Sequence, residues 1–487
     1  MVARPIVIRP MVTRPVHFAL AVCLLSLQLA PVLAEPTQQR SPVDTENVTE
    51  TNDASFQEAS SAADSDGVLL VDFDQEYAEM CASVVDEGCI EGGCVEGIRT
   101  GGHCGDGDLA GVVTNGLLLD AWIEQGFTWN PDSPANRFNS PMTFNDRSNE
   151  YQLNQIYVSL GKRINSRGQR WDFGGQVDLL YGTDYFFTES NGLERRRDGS
   201  PHWNSPNGPR GNGAALYGLA MPQLYGEIYA PWGKGLRIKF GHFYTILGCE
   251  SVRAPDNFFY SHTYAMQYGE PKTHTGVLGS YNLGPRLTVH AGVTRGWDSW
   301  DGPNDKFKFL GGVNWTSVDR KSVLALAVHA GSEDAAGDYN RTSYSVVWSR
   351  SISDRLTYVF QHDLGIQQHA EINTELNFSD AKWYGVNNYL IYDVNCTTSL
   401  GLRFEWFRDQ DNARVLSLPV ESFVEGGNYW SIALGMNWKP SRRITIRPEC
   451  RWDWSDVAVP FLNATGMYDD FSDTNQFTLG TDVILRY

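Results

Sequence analysis

The sequence predicts an all-β fold: an up-and-down antiparallel transmembrane β-barrel of about sixteen strands, behind an acidic, cysteine-bearing N-terminal extension. Three observations predict it. In the stretch 476–487, Phe477, Leu479, Thr481, Val483, Leu485 and Tyr487 share one parity, while Gln476, Thr478, Gly480, Asp482, Ile484 and Arg486 share the other. Successive strand side chains face opposite sides, so this stretch has one mostly apolar wall and one mostly polar wall. The same rhythm recurs from Leu117 onward, and the connections alternate between short and long. Short turns at one end and long loops at the other are the pattern of an outer-membrane barrel.

The totals agree with this class. In 487 residues, 41% of them hydrophobic, no internal run approaches the ~20 apolar residues that a spanning helix needs. A helical membrane protein is therefore excluded. A barrel is permitted, because strands that alternate apolar-out and polar-in average to a low hydropathy, here −0.35. Gly 47 with 12% aromatics suits strands and turns.

The chain opens with Arg4, Arg9 and Arg14, then an apolar run from Phe18 to Leu33 and small residues ending at Ala34. This predicts a signal peptide over 1–34, cleaved for export; a retained anchor would want a longer apolar core. Residues 35–67 are polar and acidic and predict a disordered linker. Residues 68–110 form an acidic, Gly- and Cys-rich segment that export would place in the periplasm. Over 35–110 there are 18 Asp/Glu against Arg40 and Arg99, so most of the net charge of −19 belongs there. No basic face for nucleic acid is visible.

Cys81, Cys89, Cys94 and Cys104 crowd that segment and predict two disulfides, with three possible pairings. A zinc site with His103 is the alternative, but no C-x-x-C pair supports it. Gly105 to Asp108 is too short for an EF-hand loop. No metal or cofactor is expected.

The barrel is expected over 117–487, with strands at 117–130, 151–162, 171–184, 221–230, 236–243, 274–282, 287–296, 307–315, 322–330, 341–350, 356–364, 381–392, 398–408, 429–438, 444–454 and 476–487. Most alternate: in 398–408, Leu400, Leu402, Phe404 and Trp406 oppose Ser399, Arg403 and Glu405. The stretch 151–162 is ambiguous, since neither parity is consistently apolar. The turns are eight residues or fewer, whereas 131–150, 185–220, 244–273, 297–306, 331–340, 365–380, 409–428 and 455–475 are long loops. A soluble sandwich would lack this strict alternation, and a propeller would show a blade repeat. Trp430 and Trp438, eight residues apart, fit two aromatic girdles at opposite ends of one strand.

Sixteen strands leave room for an aqueous channel. Pore-lining candidates on the polar parity are Arg237, Lys239, Arg403, Glu405, Arg447, Glu449, Arg451 and Asp453. Opposed charges across the small residues Ser431, Ala433 and Gly435 would set a transverse field, or would simply form hydrated ion pairs. Loop 244–273 carries Glu250, Arg253, Asp256, Glu270 and Lys272, a mixed set suited to a constriction. Arg195, Arg196 and Arg197 in the other long loop would attract anions at the mouth or remain solvated. An enzyme reading has little to stand on: His290 and His329 lie on the polar parity, and no Gly-x-Ser-x-Gly elbow occurs.

The closing stretch resembles the terminal strand of bacterial outer-membrane barrels, whose assembly signal would fall here on Phe477, Val483, Leu485 and Tyr487. Residues from about 117 onward also resemble the OmpL-like β-barrel porin family of planctomycete-type bacteria. That resemblance rests on Leu179-Leu180-Tyr181-Gly182-Thr183-Asp184 and on Ala254 to His262, APDNFFYSH. It rests also on Tyr268-Gly269-Glu270-Pro271 and on Thr273-His274-Thr275-Gly276. It implies an outer-membrane porin passing small hydrophilic solutes or ions; the alternative is a structural or adhesive barrel with a loop-plugged lumen. The expected partners are outer-membrane lipid, the barrel assembly machinery, small hydrophilic solutes and a cell-wall or periplasmic partner for the N-terminal segment. A homotrimer is expected by analogy.

Overall fold

The computed structural model describes residues 117–164, 170–210, 213–372, 377–415, 426–458 and 465–487. The signal peptide, linker and cysteine segment, with Cys81, Cys89, Cys94 and Cys104, lie outside the described residues. In chain order the strands are β1 (Leu118–Trp129), β2 (Tyr151–Lys162), β3 (Asp172–Gly182), β4 (Gly218–Ala230), β5 (Leu236–Tyr244) and β6 (Thr273–Gly284). Then follow β7 (Leu287–Thr294), β8 (Lys308–Thr316), β9 (Ser322–Ser332), β10 (Asn340–Ser353) and β11 (Leu356–Ile372). The last are β12 (Asn377–Asn395), β13 (Thr398–Asp409), β14 (Gly427–Ser441), β15 (Ile444–Ser455) and β16 (Asn475–Arg486).

Each strand pairs antiparallel with its sequence neighbours, and β1 closes onto β16 with Ile123 opposite Leu485 and Gly126 opposite Asp482. The expected sixteen-stranded barrel is thus the observed one. Closure follows from hydrogen bonding: in hydrocarbon every backbone N–H and C=O needs an internal partner, so no edge can stay free. Alternation then divides the walls. On β16, Leu485 and Tyr487 are exposed outward, whereas Gln476, Thr478 and Asp482 are buried within. Phe127, Leu179, Phe240, Phe309 and Leu402 continue the outer apolar band on other strands. Aromatic pairs mark its two rims: Trp171 lies edge-on to Trp232 at the short turns (5.3 Å), and Trp430 stacks on Trp454 near the long loops (6.0 Å).

Two stretches depart from the sequence expectation. Most of the loop expected at 365–380 is hairpin, because β11 and β12 run on to Ile372 and from Asn377. Rings of Tyr339, His369 and Phe378 stack there at 4.2 and 4.6 Å. Above the bilayer both faces meet water, so this strand extension needs no apolar parity and hides from a periodicity search. The ambiguity of β2 has a different cause. Glu124 pairs with Gln155 and Gln125 with Leu153, so Asn154 forms a bulge. Gln152 before it, Asn154 at it, and Gln155, Tyr157 and Ser159 after it are all buried. The bulge switches the inward parity from even to odd.

Candidate functional site: a loop inside the lumen

Residues 245–272, between β5 and β6, turn inward and are buried along most of their length. The segment is rich in aromatic residues, which the barrel wall accommodates by omitting its own side chains. A Cβ on Gly401 of β13 would overlap the Phe258 ring, and one on Gly126 of β1 would overlap Tyr260. On Gly435 of β14 it would come within 3.0 Å of Phe259, and on Gly480 of β16 within 3.1 Å of Tyr260. Inward glycines therefore form the floor on which Phe258, Phe259 and Tyr260 rest.

The charged ladder on β13 and β15 meets the main chain of the same loop. Arg447 Nη1 donates to the Ala254, Asn257 and Phe259 carbonyls at 2.9, 2.8 and 3.2 Å. Arg403 Nη1 donates to the Ser261 carbonyl at 2.6 Å and Arg451 Nη1 to the His262 carbonyl at 2.5 Å. The acids take the amides: Glu449 accepts from Ser261 N at 3.1 Å and Glu405 from Ala265 N at 2.9 Å. Arginine offers only donors and carboxylate only acceptors, so an alternating ladder can satisfy both polarities of an irregular backbone. Arg403, Glu405, Arg447, Glu449, Arg451 and Asp453 all face inward and are buried, at most 6% exposed.

Their charges are also balanced within the wall. Arg447 bridges Glu124 at 2.9 Å and Asp482 at 2.6 Å, and Arg451 bridges Asp453 at 2.7 Å. Buried ions are tolerated only with such partners and hydrogen bonds. On the facing walls the contact is apolar: Phe243, Ile246 and Leu247 pack with Leu278, Leu310 and Ala327 of β6, β8 and β9.

The loop charges are likewise engaged. Glu250 accepts from Arg403 at 3.1 Å, Tyr389 at 2.9 Å and Thr263 N at 2.9 Å, and His262 lies 3.0 Å away. Arg253 bridges Asp120 of β1 (2.8 Å) and Asp256 (3.3 Å). Glu270 accepts from Gln361 of β11. Lys272 Nζ donates to the carbonyls of Met266, Gln267 and Glu270 at 2.5, 3.2 and 3.4 Å, closing the single π-turn Ala265–Gly269. These five residues fasten the loop to the wall and to itself; they do not line a free opening.

Arg237 and Lys239 stand apart from this ladder. They face inward on β5, are half-buried, and Lys239 Nζ lies 4.3 Å from the Tyr225 ring centroid. Arg195 bridges Glu189 (2.6 Å) and Arg196 Nη1 donates to Pro201 O (2.7 Å), both within their own loop, while Arg197 bridges Asp301 (3.1 Å) of the loop between β7 and β8. Sequence reasoning missed Glu124, Asn154, Gln155 and Tyr389. Of these, Glu124 and Tyr389 were findable from strand parity once their neighbours' inward direction is set.

Among solved structures, the outer membrane channel DcaP of Acinetobacter baumannii matches at 11% identity and TM-score 0.49, over 78% of this chain and 100% of that one. OprB of Pseudomonas putida matches at 10% identity and TM-score 0.46, over 76% and 94%. OmpT of Vibrio cholerae, folded in vitro, matches at 11% identity and TM-score 0.45, over 77% and 99%. Likenesses this distant carry no argument about solute or assembly. A comparison with curated proteins returned no match. The model of one family matches residues 116–487, the whole barrel, and the chain belongs to that family, described as "Putative beta-barrel porin-2, OmpL-like".

Proposed function

We propose that the protein is an outer-membrane porin in which small hydrophilic solutes and ions diffuse past the loop 245–272. Its conductance is then well below that of an unobstructed sixteen-stranded barrel. One observation carries this reading. The inward polar residues of β3 to β6 toward the short-turn end, including Gln176, Glu227, Arg237, Lys239, Ser280 and Asn282, are half-buried, whereas the ladder on β13 and β15 is buried. Interior side chains that keep water contact line an aqueous vestibule, and their mixed charge suits ions of either sign. Cleavage after Ala34 would deliver the chain for export, and Phe477, Val483, Leu485 and Tyr487 would present it to the assembly machinery.

The test is single-channel recording of detergent-purified protein in planar bilayers, with reversal potentials in a salt gradient. Small discrete steps support the reading. A folded, heat-modifiable barrel that inserts but stays silent refutes it and leaves the plugged structural or adhesive barrel. The burial of 245–272 against walls on opposite sides of the lumen favours that second reading.

A further inference from the structure

At the long-loop end, two arginines converge on one indole. Trp297 lies in the loop between β7 and β8; its Nε1 donates to His329 Nδ1 at 3.0 Å, and its ring meets Trp383 edge-on at 5.9 Å. Cζ of Arg341, at the start of β10, lies 4.8 Å from the Trp297 ring centroid, and Cζ of Arg414, in the loop after β13, lies 5.0 Å from it. The two charges are therefore within about 10 Å of each other.

Two cations are held together, and among the described residues no carboxylate touches either of them, although Asp298, Glu333 and Asp409 act on them through space. Arg341 spends Nε and Nη2 on Gln367 Oε1 (2.8 and 2.6 Å), and Arg414 spends Nε on the Tyr268 carbonyl (2.6 Å). Neither forms an ion pair among the described residues. The nearby acids are committed to backbone amides instead. Asp298 accepts from Lys272 N and Thr273 N (2.7 and 2.9 Å), and Glu333 from Trp297 N (3.3 Å). Asp409 accepts from the amides of Ala413, Arg414 and Val415 (3.0, 2.8 and 2.8 Å). Burial, and after it the Arg341 charge, push the Arg414 guanidinium down to about 9, against the pull of Asp409, Asp298 and Glu333. Both arginines keep part of their surface exposed.

We propose that Arg341 and Arg414, over Trp297, form a binding site for the oxyanion group, carboxylate or phosphate, of a small anionic solute at the outer mouth. Planar guanidinium forks match such groups bidentately, and the indole faces fix the forks in place. The site deepens the porin reading by naming a solute class for the mouth of the same lumen.

Isothermal titration of the detergent-purified full chain tests it, with sodium benzoate, inorganic phosphate and, as control, benzylammonium chloride. Saturable binding of benzoate alone assigns carboxylates, of phosphate alone assigns phosphates, and of both assigns the shared group; each supports the site. The Arg341→Gln/Arg414→Gln double variant should bind at least about 10-fold more weakly, and Arg341→Lys/Arg414→Lys should retain part of the affinity. Heat-modifiable gel mobility checks that each variant is folded, and the lysine pair keeps the test open if the glutamine pair does not fold. No binding by wild type, equal binding of benzylammonium, or wild-type affinity in a folded glutamine variant overturns the proposal. Because titration needs no conduction, a silent barrel that binds oxyanions sinks the porin reading alone, and a conducting barrel that binds none sinks this site alone.

Discussion

Replacing Arg403 with Met isolates the grip of the wall on the loop. Arg403 gives one hydrogen bond to Glu250 (3.1 Å) and two to Ser261 (2.6 and 2.7 Å), and its guanidinium covers the Phe259 ring at 4.8 Å. Every one of these partners belongs to the loop, so the β-ladder of the barrel should survive the change. Hydrogen bonds from a charged donor are worth ~1.5–3 kcal/mol each, but bonds in one network do not add, and Glu250 keeps Tyr389 and Thr263. Taking ~3 kcal/mol for the set, the open-to-closed ratio of the loop should rise about 100-fold, at about 1.4 kcal/mol per tenfold. Single-channel recording would show this as a steep rise in open probability or in the frequency of large steps, with heat-modifiable gel mobility confirming an intact barrel. Conductance and open probability equal to wild type in such a barrel would refute the reasoning: the loop would then not be what limits flow.

Further outcomes follow from single contacts. Gly401→Ala should drive a methyl into the Phe258 ring and destabilise the loop by ~1–3 kcal/mol, read as faster proteolysis of the loop; protection equal to wild type would show that Phe258 shifts freely. Leu402→Arg, on the outer wall of β13, should cost ~2–4 kcal/mol and cut the yield of assembled barrel, while Ser399→Arg on the inner parity should be milder; equal yields would invert the assigned faces. Glu194 is pushed up to about 7 by burial, against the hydrogen bonds it accepts from Ser190 N and Met221 N. A raised carboxyl favours the folded loop when protonated. Its contribution is therefore complete below pH ~4.5 and falls by up to about 3 kcal/mol as pH rises to about 7. Loop 183–217 should be clipped faster by protease at pH 8 than at pH 5.5, and Glu194→Gln should flatten that difference; a slope unchanged in the variant would assign the effect elsewhere.

The barrel was legible because its constraint is local and periodic. A lipid-facing wall must alternate, and Phe477 to Tyr487 or Leu400 to Trp406 display that alternation directly. Where the constraint lapses, so does the signal. The extension of β11 through Gln367 and Gln368 has water on both sides, and the bulge at Asn154 exchanges the two parities within one strand. The inward direction of Arg403, Glu405, Arg447 and Arg451 could be read from parity, but their partners could not. Their partners in the loop are mostly backbone atoms of 254–265, more than 130 residues away in sequence, and main-chain groups leave no trace in residue identity. Sequence could show that 244–273 carries mixed charge; it could not show that each charge has a mate.

This mode of attachment bears on how the loop and the lumen share one set of residues. Because the ladder grips carbonyls and amides, the side chains of the loop are constrained mainly where rings meet glycine: Phe258 at Gly401, Phe259 at Gly435, and Tyr260 at Gly126 and Gly480. Those three rings lie inside the APDNFFYSH stretch that carried the family resemblance. Its legibility thus reflects a packing demand that a main-chain grip alone would not impose. The same ladder changes role with the position of the loop. With 245–272 in place, Arg403, Arg447 and Arg451 act as anchors. With the loop displaced, they would stand as a cationic row beside Glu405, Glu449 and Asp453, and water would take over the bonds now given to the backbone. That exchange lowers the cost of opening, since each freed donor finds a new partner. The reverse holds for Gly401 and Gly126, whose floors would be left as apolar hollows in a wet lumen. The aromatic contacts therefore add to the bias toward the inward position that the ion ladder provides.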